Sequence, residues 1–139
     1  MKSIRKVIGL VLWIAVGIGL QGCVSGGIRA VNSGVTTLQN YGSGNLVPMT
    51  TFSMTDVIRF YVNITWDDVT EEAGIRDVIW NWYKEGRLVG QHENNRAYLK
   101  SAPNTRFATQ PAAALGPGHF RVECLIDGKQ IAAAEFDIR

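Results

Sequence analysis

The sequence predicts an all-β protein, an antiparallel β-sandwich of about seven strands, and three observations support this prediction. Apolar and polar residues alternate in several segments after residue 45, the period of a strand with one buried face. Two stretches, Glu85-Gly86-Arg87 and Asp127-Gly128-Lys129, place an acid, a glycine and a base between apolar runs, as hairpin turns do. No segment after residue 45 keeps a helical repeat over ten residues, so a mixed fold is not expected.

The clearest strand lies at residues 58–66, where apolar side chains occupy alternate positions and predict one buried face. The apolar set is Ile58, Phe60, Val62, Ile64 and Trp66, and the residues between them are Arg59, Tyr61, Asn63 and Thr65. A polar loop follows at residues 67–74, and the alternation then resumes at Val78, Trp80 and Trp82. Large apolar residues on one side of both strands indicate a shared core.

Each acid-glycine-base turn predicts a hairpin, and the length of its loop decides which strand faces turn inward. In the second hairpin a three-residue loop pairs Val122 with Ala132 and leaves Glu135 in solvent. A two-residue loop would shift the pairing by one residue and turn Glu135 into the core. We therefore predict the three-residue loop, and the same reasoning pairs Trp82 with Leu88, both inward, in the first hairpin.

The segment between the hairpins has a weaker pattern. Residues 96–109 alternate less cleanly, with Phe107 as the anchor of one strand. Pro111 and residues 116–118 then break the chain before the strand that begins at His119. Six or seven strands within about 90 residues, joined by short connections, are typical of a sandwich.

Residues 47–139 resemble a bacterial immunoglobulin-like domain, which implies the immunoglobulin-like form of the sandwich. The resemblance is carried by Trp80 and Trp82 in the central strand, by Gly118-His119-Phe120-Arg121-Val122-Glu123, and by the closing Phe136-Asp137-Ile138. The chain departs from the antibody type, because the strand at residues 58–66 has no cysteine that could bridge Cys124. Cys124 is therefore expected to be a buried free thiol. The alternative, a reactive or bridged thiol, lacks a flanking histidine or basic cluster.

The amino-terminal segment has the layout of a secretory signal. Residues 1–6 carry Lys2, Arg5 and Lys6 without an acid, and residues 7–20 are all apolar or glycine. This run is shorter than the roughly 20 residues of a membrane-spanning helix. The alternative is an uncleaved anchor helix.

Leu20-Gln21-Gly22-Cys23 follows the apolar run and resembles the processing site of bacterial lipoproteins. The resemblance implies cleavage before Cys23 and three acyl chains on that residue, and two or more chains hold a protein stably at a membrane. Val24, in place of an aspartate, implies the outer membrane with the domain facing the periplasm.

The predicted domain organisation follows from this signal. Residues 1–22 form the signal peptide, residues 23–46 a lipidated amino terminus and tether, and residues 47–139 the sandwich. The tether segment is rich in glycine, serine and asparagine and contains one candidate strand near residues 31–38. A flexible chain of this length would span about 25 Å.

Charge argues against some partners. The signal holds three of the 14 basic residues and none of the 12 acidic ones, which leaves 11 basic residues in the mature chain and a formal charge of −1. A nearly neutral domain is not expected to bind nucleic acid or anionic lipid by electrostatic attraction.

The sequence contains one acidic cluster that is a candidate binding loop: Asp67, Asp68, Glu71 and Glu72. Calcium takes several oxygen ligands from such loops, but the spacing is not that of an EF-hand, and a solvated acidic loop is the alternative. His92 and His119 are far apart in sequence, so no metal site is predicted from them. No nucleophile elbow or phosphate-binding loop is present, and we predict no catalytic residue, metal or cofactor.

Three tyrosines form a candidate aromatic binding surface: Tyr61, Tyr83 and Tyr98. Exposed tyrosine often anchors protein interfaces, whereas cross-strand pairing on a solvated sheet is the alternative. Three arginines, Arg59, Arg87 and Arg121, are also candidates for the outer faces, where scattered surface charge is the favoured explanation.

These observations together favour a non-catalytic, lipid-anchored lipoprotein of the cell envelope. We expect it to act as a binding or structural accessory module on the periplasmic side, with an envelope protein as its partner. The alternative is an inhibitor of a hydrolase, of protease or lysozyme type. Such an inhibitor would present strand-end loops, among them residues 67–74 and 112–118.

Overall fold

The structure is a computed structural model that describes the backbone of residues 27–66, 74–99 and 103–139. In this part of the chain the strands are β1 (Ile28–Thr37), β2 (Thr51–Phe52), β3 (Val57–Trp66), β4 (Gly74–Lys84), β5 (Arg87–Leu99), β6 (Asn104–Pro111), β7 (Gly118–Ile126) and β8 (Lys129–Ile138). Two short helices, α1 (Leu38–Gly42) and α2 (Ala112–Leu115), join β1 to β2 and β6 to β7. Within the described ranges, neither is long and apolar enough to cross a membrane.

The strands form two sheets that face each other. One sheet has the order β1-β3-β6, and the other has the order β2-β8-β7-β4-β5. The predicted all-β sandwich is therefore confirmed. The antiparallel prediction holds for every strand pair of the described residues except the short pair β2–β8, which is parallel, with Thr51 opposite Asp137.

The amino-terminal boundary of the sandwich differs from the prediction. Strand β1 pairs with β3 along its whole length, from Ile28 opposite Trp66 to Thr37 opposite Ile58. The prediction of a tether over residues 23–46 is therefore wrong from Ile28 onward, whereas a strand near residues 31–38 is present. The signal peptide (residues 1–22), Cys23 and residues 24–26 lie outside the described residues.

The core contains the alternating residues predicted for β3 and β4, the inward faces of β7 and β8, and single residues of β1, β2, β6 and α2. Trp80 and Trp82 are fully buried, and the ring of Trp80 meets that of Phe60 edge to face at 5.5 Å between ring centres. Cys124 is a buried free thiol, and burial raises its pKa to about 12. Such a thiol stays protonated and unreactive at neutral pH.

Both hairpins have two-residue turns, so the predicted three-residue loop is wrong. Glu85 and Gly86 have φ angles of 47° and 79°, and Asp127 and Gly128 have 49° and 80°. Two successive positive φ angles define the mirror-image turn that matches the twist of paired strands. Glycine tolerates this conformation without strain, which explains its place in both turns.

A one-residue bulge follows each turn and changes the register. In the second hairpin the bulge pairs Val122 with Ala134, and Glu135 faces solvent as predicted although the pairing differs. In the first hairpin Trp82 lies opposite Gly90, not Leu88. Leu88 is 49% exposed, so its predicted inward position is wrong.

The sandwich has two ends, the Ile28 end and the Thr37 end, at which β1 begins and ends. The Ile28 end carries Ile28, Trp66, Gly74, Asn104 and the Asp127–Gly128 turn. The Thr37 end carries Thr37, Val57, the Glu85–Gly86 turn and helix α2. The Lys84 ammonium donates to the carbonyl oxygen of Leu115 at 3.3 Å, which joins the hairpin turn of one sheet to α2 at the same end.

Candidate functional site

The outer face of the three-stranded sheet is partly covered by the chain that follows β1. This covering segment, residues 38–49, folds back so that the backbone N–H of Met49 donates to the carbonyl of Val35 at 2.7 Å. Beneath it the hydroxyl of Tyr61 donates to the carbonyl oxygen of Leu46. Tyr61 is therefore fully buried although it lies on the outer side of its strand.

Gly34 allows this close approach. A Cβ atom at this position would lie 2.9 Å from both the Cγ of Pro48 and the hydroxyl of Tyr61. Carbon atoms cannot pack at that distance, so a larger residue would lift the covering segment. A glycine in β1 thus holds the segment that carries Tyr41 against the sheet.

We expect Gly34→Ala to lower the free energy of unfolding by about 1–2 kcal/mol, because the added methyl group overpacks the contact with Pro48 and Tyr61. Gly42→Ala is the matched control, since no atom lies within 4 Å of a Cβ added there. That variant should be neutral or slightly stabilising, as alanine suits helix α1 better than glycine. Urea titrations of both variants measure the difference, and equal stability would contradict the packing of the covering segment.

Tyr41 of the covering segment contributes to a partly exposed group that we name the Tyr41–Arg59–Phe107 cluster. The central carbon of the Arg59 guanidinium is 3.9 Å from the ring centre of Phe107 and 4.7 Å from that of Tyr41. The Nε–H of Arg59 donates to the hydroxyl oxygen of Thr109 at 3.0 Å. Phe107 is 46% exposed, so the cluster opens to solvent.

Three elements bring these residues together. Arg59 lies on β3 opposite Thr109 of β6, and Phe107 lies one cross-strand row away, opposite Tyr61. Tyr41 comes from α1, and its ring is 5.7 Å from that of Phe107. The hydroxyl of Thr37 accepts from the backbone N–H of Asn40 at 3.1 Å and caps the start of this helix.

The cluster holds its guanidinium in a fixed orientation. Stacking on the two rings and the bond to Thr109 restrict the Arg59 side chain, and cation–π contacts of this kind contribute about 0.5–1 kcal/mol at exposed sites. Within the described ranges, Arg59 has no carboxylate partner. An oriented guanidinium beside apolar rings suits a carboxylate on a partner, which it can bind through two parallel N–H bonds.

The outer face of the five-stranded sheet carries a different arrangement, centred on the buried carboxylate of Glu123. Its Oε1 accepts from the Asn81 amide at 3.1 Å and the Tyr83 hydroxyl at 2.9 Å, and its Oε2 accepts from Arg121 at 3.0 Å. Burial opposes ionisation, but these hydrogen bonds and the Arg121 charge hold the pKa of Glu123 below its usual value. The bond to Glu123 raises the pKa of Tyr83. This network pairs the buried carboxylate with three donors and stabilises the sheet.

An exposed ion cluster occurs at the Thr37 end. The Nδ1 of His119 lies 2.8 Å from Asp137, and its Nε2 lies 3.5 Å from Glu135. The bond to Asp137 is the main cause that raises the pKa of His119. No group of three or more His, Cys, Asp or Glu residues in the described ranges has the geometry to hold a metal ion.

Comparison with known proteins identifies the fold. No protein-family profile matches the chain, and no curated protein does. A solved immunoglobulin-like protein from Pseudomonas aeruginosa superposes with a TM-score of 0.56 at 13% sequence identity, over 81% of this chain and 96% of that protein. The chain has an immunoglobulin-like fold. Strands β4, β7 and β8 lie side by side, as strands C, F and G do in that fold.

A second similar structure is an alkylpurine DNA glycosylase from Pseudomonas fluorescens, solved bound to DNA containing an abasic site analogue. It superposes with a TM-score of 0.54 at 12% identity, over 81% of this chain but only 30% of the glycosylase. At such low identities both likenesses establish the immunoglobulin-like fold and nothing further about function.

The immunoglobulin-like domain does not assemble the predicted aromatic surface. Tyr61 is buried, so its predicted exposure is wrong, because the covering segment lies over its side of the sheet. Tyr83 is half-buried on the other sheet, bonded to Glu123. Tyr98 lies on β5, and its side chain is outside the described part of the chain.

Other predicted site residues are also separated or not described. Arg59 lies on the three-stranded sheet, whereas Arg87 and Arg121 lie on β5 and β7 of the five-stranded sheet. The acidic residues Asp67, Asp68, Glu71 and Glu72 lie outside the described residues. The flanks of that loop, Trp66 and Gly74, are at the Ile28 end, and residues 112–118 are at the Thr37 end. The described flanks of the first loop proposed for an inhibitor therefore lie at the opposite end of the sandwich from the second loop.

The sequence prediction missed Tyr41 and undervalued Phe107. Tyr41 stands in a segment rich in glycine, serine and asparagine, which was predicted to be a tether. A signal was nevertheless present, because Arg59 was predicted to face outward and Phe107 to anchor a strand. Only the pairing of β3 with β6 reveals that they are neighbours.

Proposed function

We propose that this chain is a non-catalytic, lipid-anchored binding module of the bacterial cell envelope. In this proposal the Tyr41–Arg59–Phe107 cluster contacts an envelope protein on the periplasmic side. The observation that carries the proposal is a guanidinium that stacks on Tyr41 and on the exposed ring of Phe107 and has no carboxylate partner in the described residues. The immunoglobulin-like fold is compatible with such a role but does not specify it.

The chemistry of the cluster supports a protein partner. Arginine and aromatic residues are enriched among the few residues that dominate binding energy at interfaces. Here the arginine is already oriented, so less side-chain entropy is lost on binding. Leu38 and Val57, both partly exposed, extend the apolar surface beside the cluster. We infer a partner segment with an aspartate or glutamate for Arg59 and an apolar side chain for Phe107.

The lipid anchor rests on the sequence pattern around Cys23. A basic start, an apolar run and Leu20-Gln21-Gly22-Cys23 support cleavage and acylation, and Val24 supports the outer membrane. The intact mass of the protein purified from bacterial membranes tests this part. A chain that begins at Cys23 and carries added acyl mass agrees with it, and a chain that keeps Met1 contradicts it.

We expect a photo-crosslinking phenylalanine analogue at position 107 to trap an envelope protein in intact cells. The matched control position is Leu88, which is 49% exposed against 46% for Phe107 but lies on the other sheet. Adding Arg59→Ala should reduce the adduct from position 107 by about tenfold or more, as loss of a dominant interface residue does. Arg59→Lys should also reduce it, because lysine keeps the charge but not the planar fork.

The same experiment contains outcomes that contradict the proposal. Equal adducts from positions 107 and 88, or an adduct insensitive to Arg59→Ala, would exclude the cluster as the binding site. A soluble hydrolase as the trapped protein, with its turnover blocked, would favour the inhibitor function. Thermal melting of each variant checks that the fold is retained.

A further inference from the structure

The start of β1 lies unexpectedly close in sequence to the predicted lipid attachment site. Ile28, the first residue of β1, follows Cys23 by only five residues. We propose, resting on the lipid anchor of the proposed function, that the Ile28 end of the sandwich stands on the membrane surface. The Thr37 end then points away from the bilayer, and the outer faces of both sheets stand upright beside it.

The length of the connection excludes the inverted orientation. Five residues span at most about 18 Å when fully extended. Strand β1 has ten residues and a length of about 33 Å. If the Thr37 end touched the bilayer, Ile28 would be held about 33 Å above it, beyond the reach of the connection. An anchored chain can therefore rest on its Ile28 end but cannot rest on its Thr37 end.

The two broad faces are poor surfaces for lying flat on the membrane. The charged residues described on the outer side of the five-stranded sheet are of both signs and paired with each other, His119 with Asp137 and Arg121 with Glu123, so this face has no surplus of positive charge to attract lipid head groups. The three-stranded sheet exposes the Tyr41–Arg59–Phe107 cluster, which the proposed partner must reach. Standing on the Ile28 end keeps both faces in solvent.

This orientation fixes the height of the proposed binding site. Gly34 lies in the same cross-strand row as Tyr61 and Phe107, and Thr36 lies in the row of Arg59 and Thr109. These rows are six and eight residues beyond Ile28, which is about 20 and 26 Å along the strand. Because the connection adds between zero and about 18 Å, the cluster lies about 20–45 Å above the bilayer surface. A partner must therefore offer its acidic and apolar contact within that range.

Two matched labelling positions test the orientation. Lys129 and Arg87 each follow the glycine of a two-residue turn, both are exposed, and they lie at opposite ends of the sandwich. Each is changed to cysteine in the full chain, which is purified with its lipid and labelled with a fluorophore. The protein is then reconstituted into vesicles with nitroxide-bearing head groups. We expect the label at Lys129→Cys to be quenched several-fold more than the label at Arg87→Cys.

The controls separate this proposal from the lipid anchor itself. The unmodified chain should take no label, since Cys124 is buried, and it should float with the vesicles. If it takes label and does not float, the lipid anchor is wrong. If it floats but the two labels are quenched equally, or Arg87→Cys more strongly, the orientation is wrong and the anchor is retained.

A longer connection gives an independent measurement. Inserting ten glycine and serine residues between Gly26 and Gly27 should release the Ile28 end and reduce the quenching at Lys129→Cys. Unchanged quenching in this variant would mean that another surface holds the domain on the membrane, which overturns the role of the short connection.

Discussion

Trp80→Ala should lower the free energy of unfolding by about 3–5 kcal/mol, the largest effect that we expect from a single substitution in this chain. Trp80 is 1% exposed at the centre of β4 and packs edge to face on Phe60 of the opposite sheet. Removing the indole leaves a cavity between the sheets that the strands cannot fill without moving. Denaturation in urea, followed by circular dichroism, measures the loss.

Trp80→Phe serves as the matched control for this substitution. The indole N–H of Trp80 has no hydrogen-bond partner among the described residues, so phenylalanine removes ring volume but no hydrogen bond. We expect it to cost less than alanine does. Leu88→Ala, at an exposed position, should change stability by less than about 0.5 kcal/mol. A loss under about 1 kcal/mol for Trp80→Ala would place that residue outside the core.

Glu123→Ala should lower the free energy of unfolding by about 2–3 kcal/mol, because hydrogen bonds to a charged group are among the stronger ones. The substitution removes the acceptor of the Asn81 amide, which is buried, and of the Tyr83 hydroxyl. It also leaves Arg121 without its carboxylate. Glu135→Ala, on the same face but exposed, should cost less than about 1 kcal/mol, and chemical denaturation of both variants measures the contrast.

The pH dependence of stability distinguishes the charge of Glu123 from its shape. Its pKa is lower in the folded state than in the unfolded chain, so its contribution is present above the unfolded pKa. That contribution is lost as the pH falls through the folded pKa. Glu123→Gln should remove this part of the acid sensitivity, measured as the fall in melting temperature on acidification. An unchanged fall would show that Glu123 is not ionised in the network.

Alternation in the sequence predicted the central strands correctly, because one face of β3 and of β4 packs in the core. Ile58, Phe60, Trp80 and Trp82 all lie in the core, as their spacing indicated. The same rule failed for β1. Gly34 and Thr36 lie under the covering segment, not in solvent, so a small residue is required where alternation expects a polar one. Because small and polar residues predominate in β1 and the covering segment, the composition of this part of the chain resembles that of a flexible linker.

Register was harder to predict than strand location. The positive φ angles of Glu85 and Asp127 allow two-residue turns. Beyond the bulge that follows each turn, the strand turns the same residues inward that a three-residue loop would have turned inward. A three-residue loop and a two-residue turn with a bulge therefore give the same pattern of burial, and alternation in the sequence cannot distinguish them. The structure confirms that Phe120 faces the core and Glu135 faces solvent, whereas Leu88, predicted to face the core, is exposed.

The candidate site depends on contacts that are distant in sequence. Arg59 donates a hydrogen bond to Thr109, which is fifty residues away in sequence, and its guanidinium stacks on the ring of Tyr41, which the covering segment brings back over the sheet. Side-chain type indicated that Arg59 and Phe107 were available for binding, but their proximity follows from the pairing of β3 with β6. Local periodicity carries no information about that pairing.

The pairing of β1 with β3 also determines how the domain would bear tension. A partner attached at Arg59 and a lipid attached before Ile28 would pull β3 and β1 in opposite directions along their common axis. Every hydrogen bond between these strands would then share the load in shear, whereas peeling would break them one at a time. Such a domain would transmit force between the lipid before Ile28 and a partner at Arg59 while its two sheets remain packed.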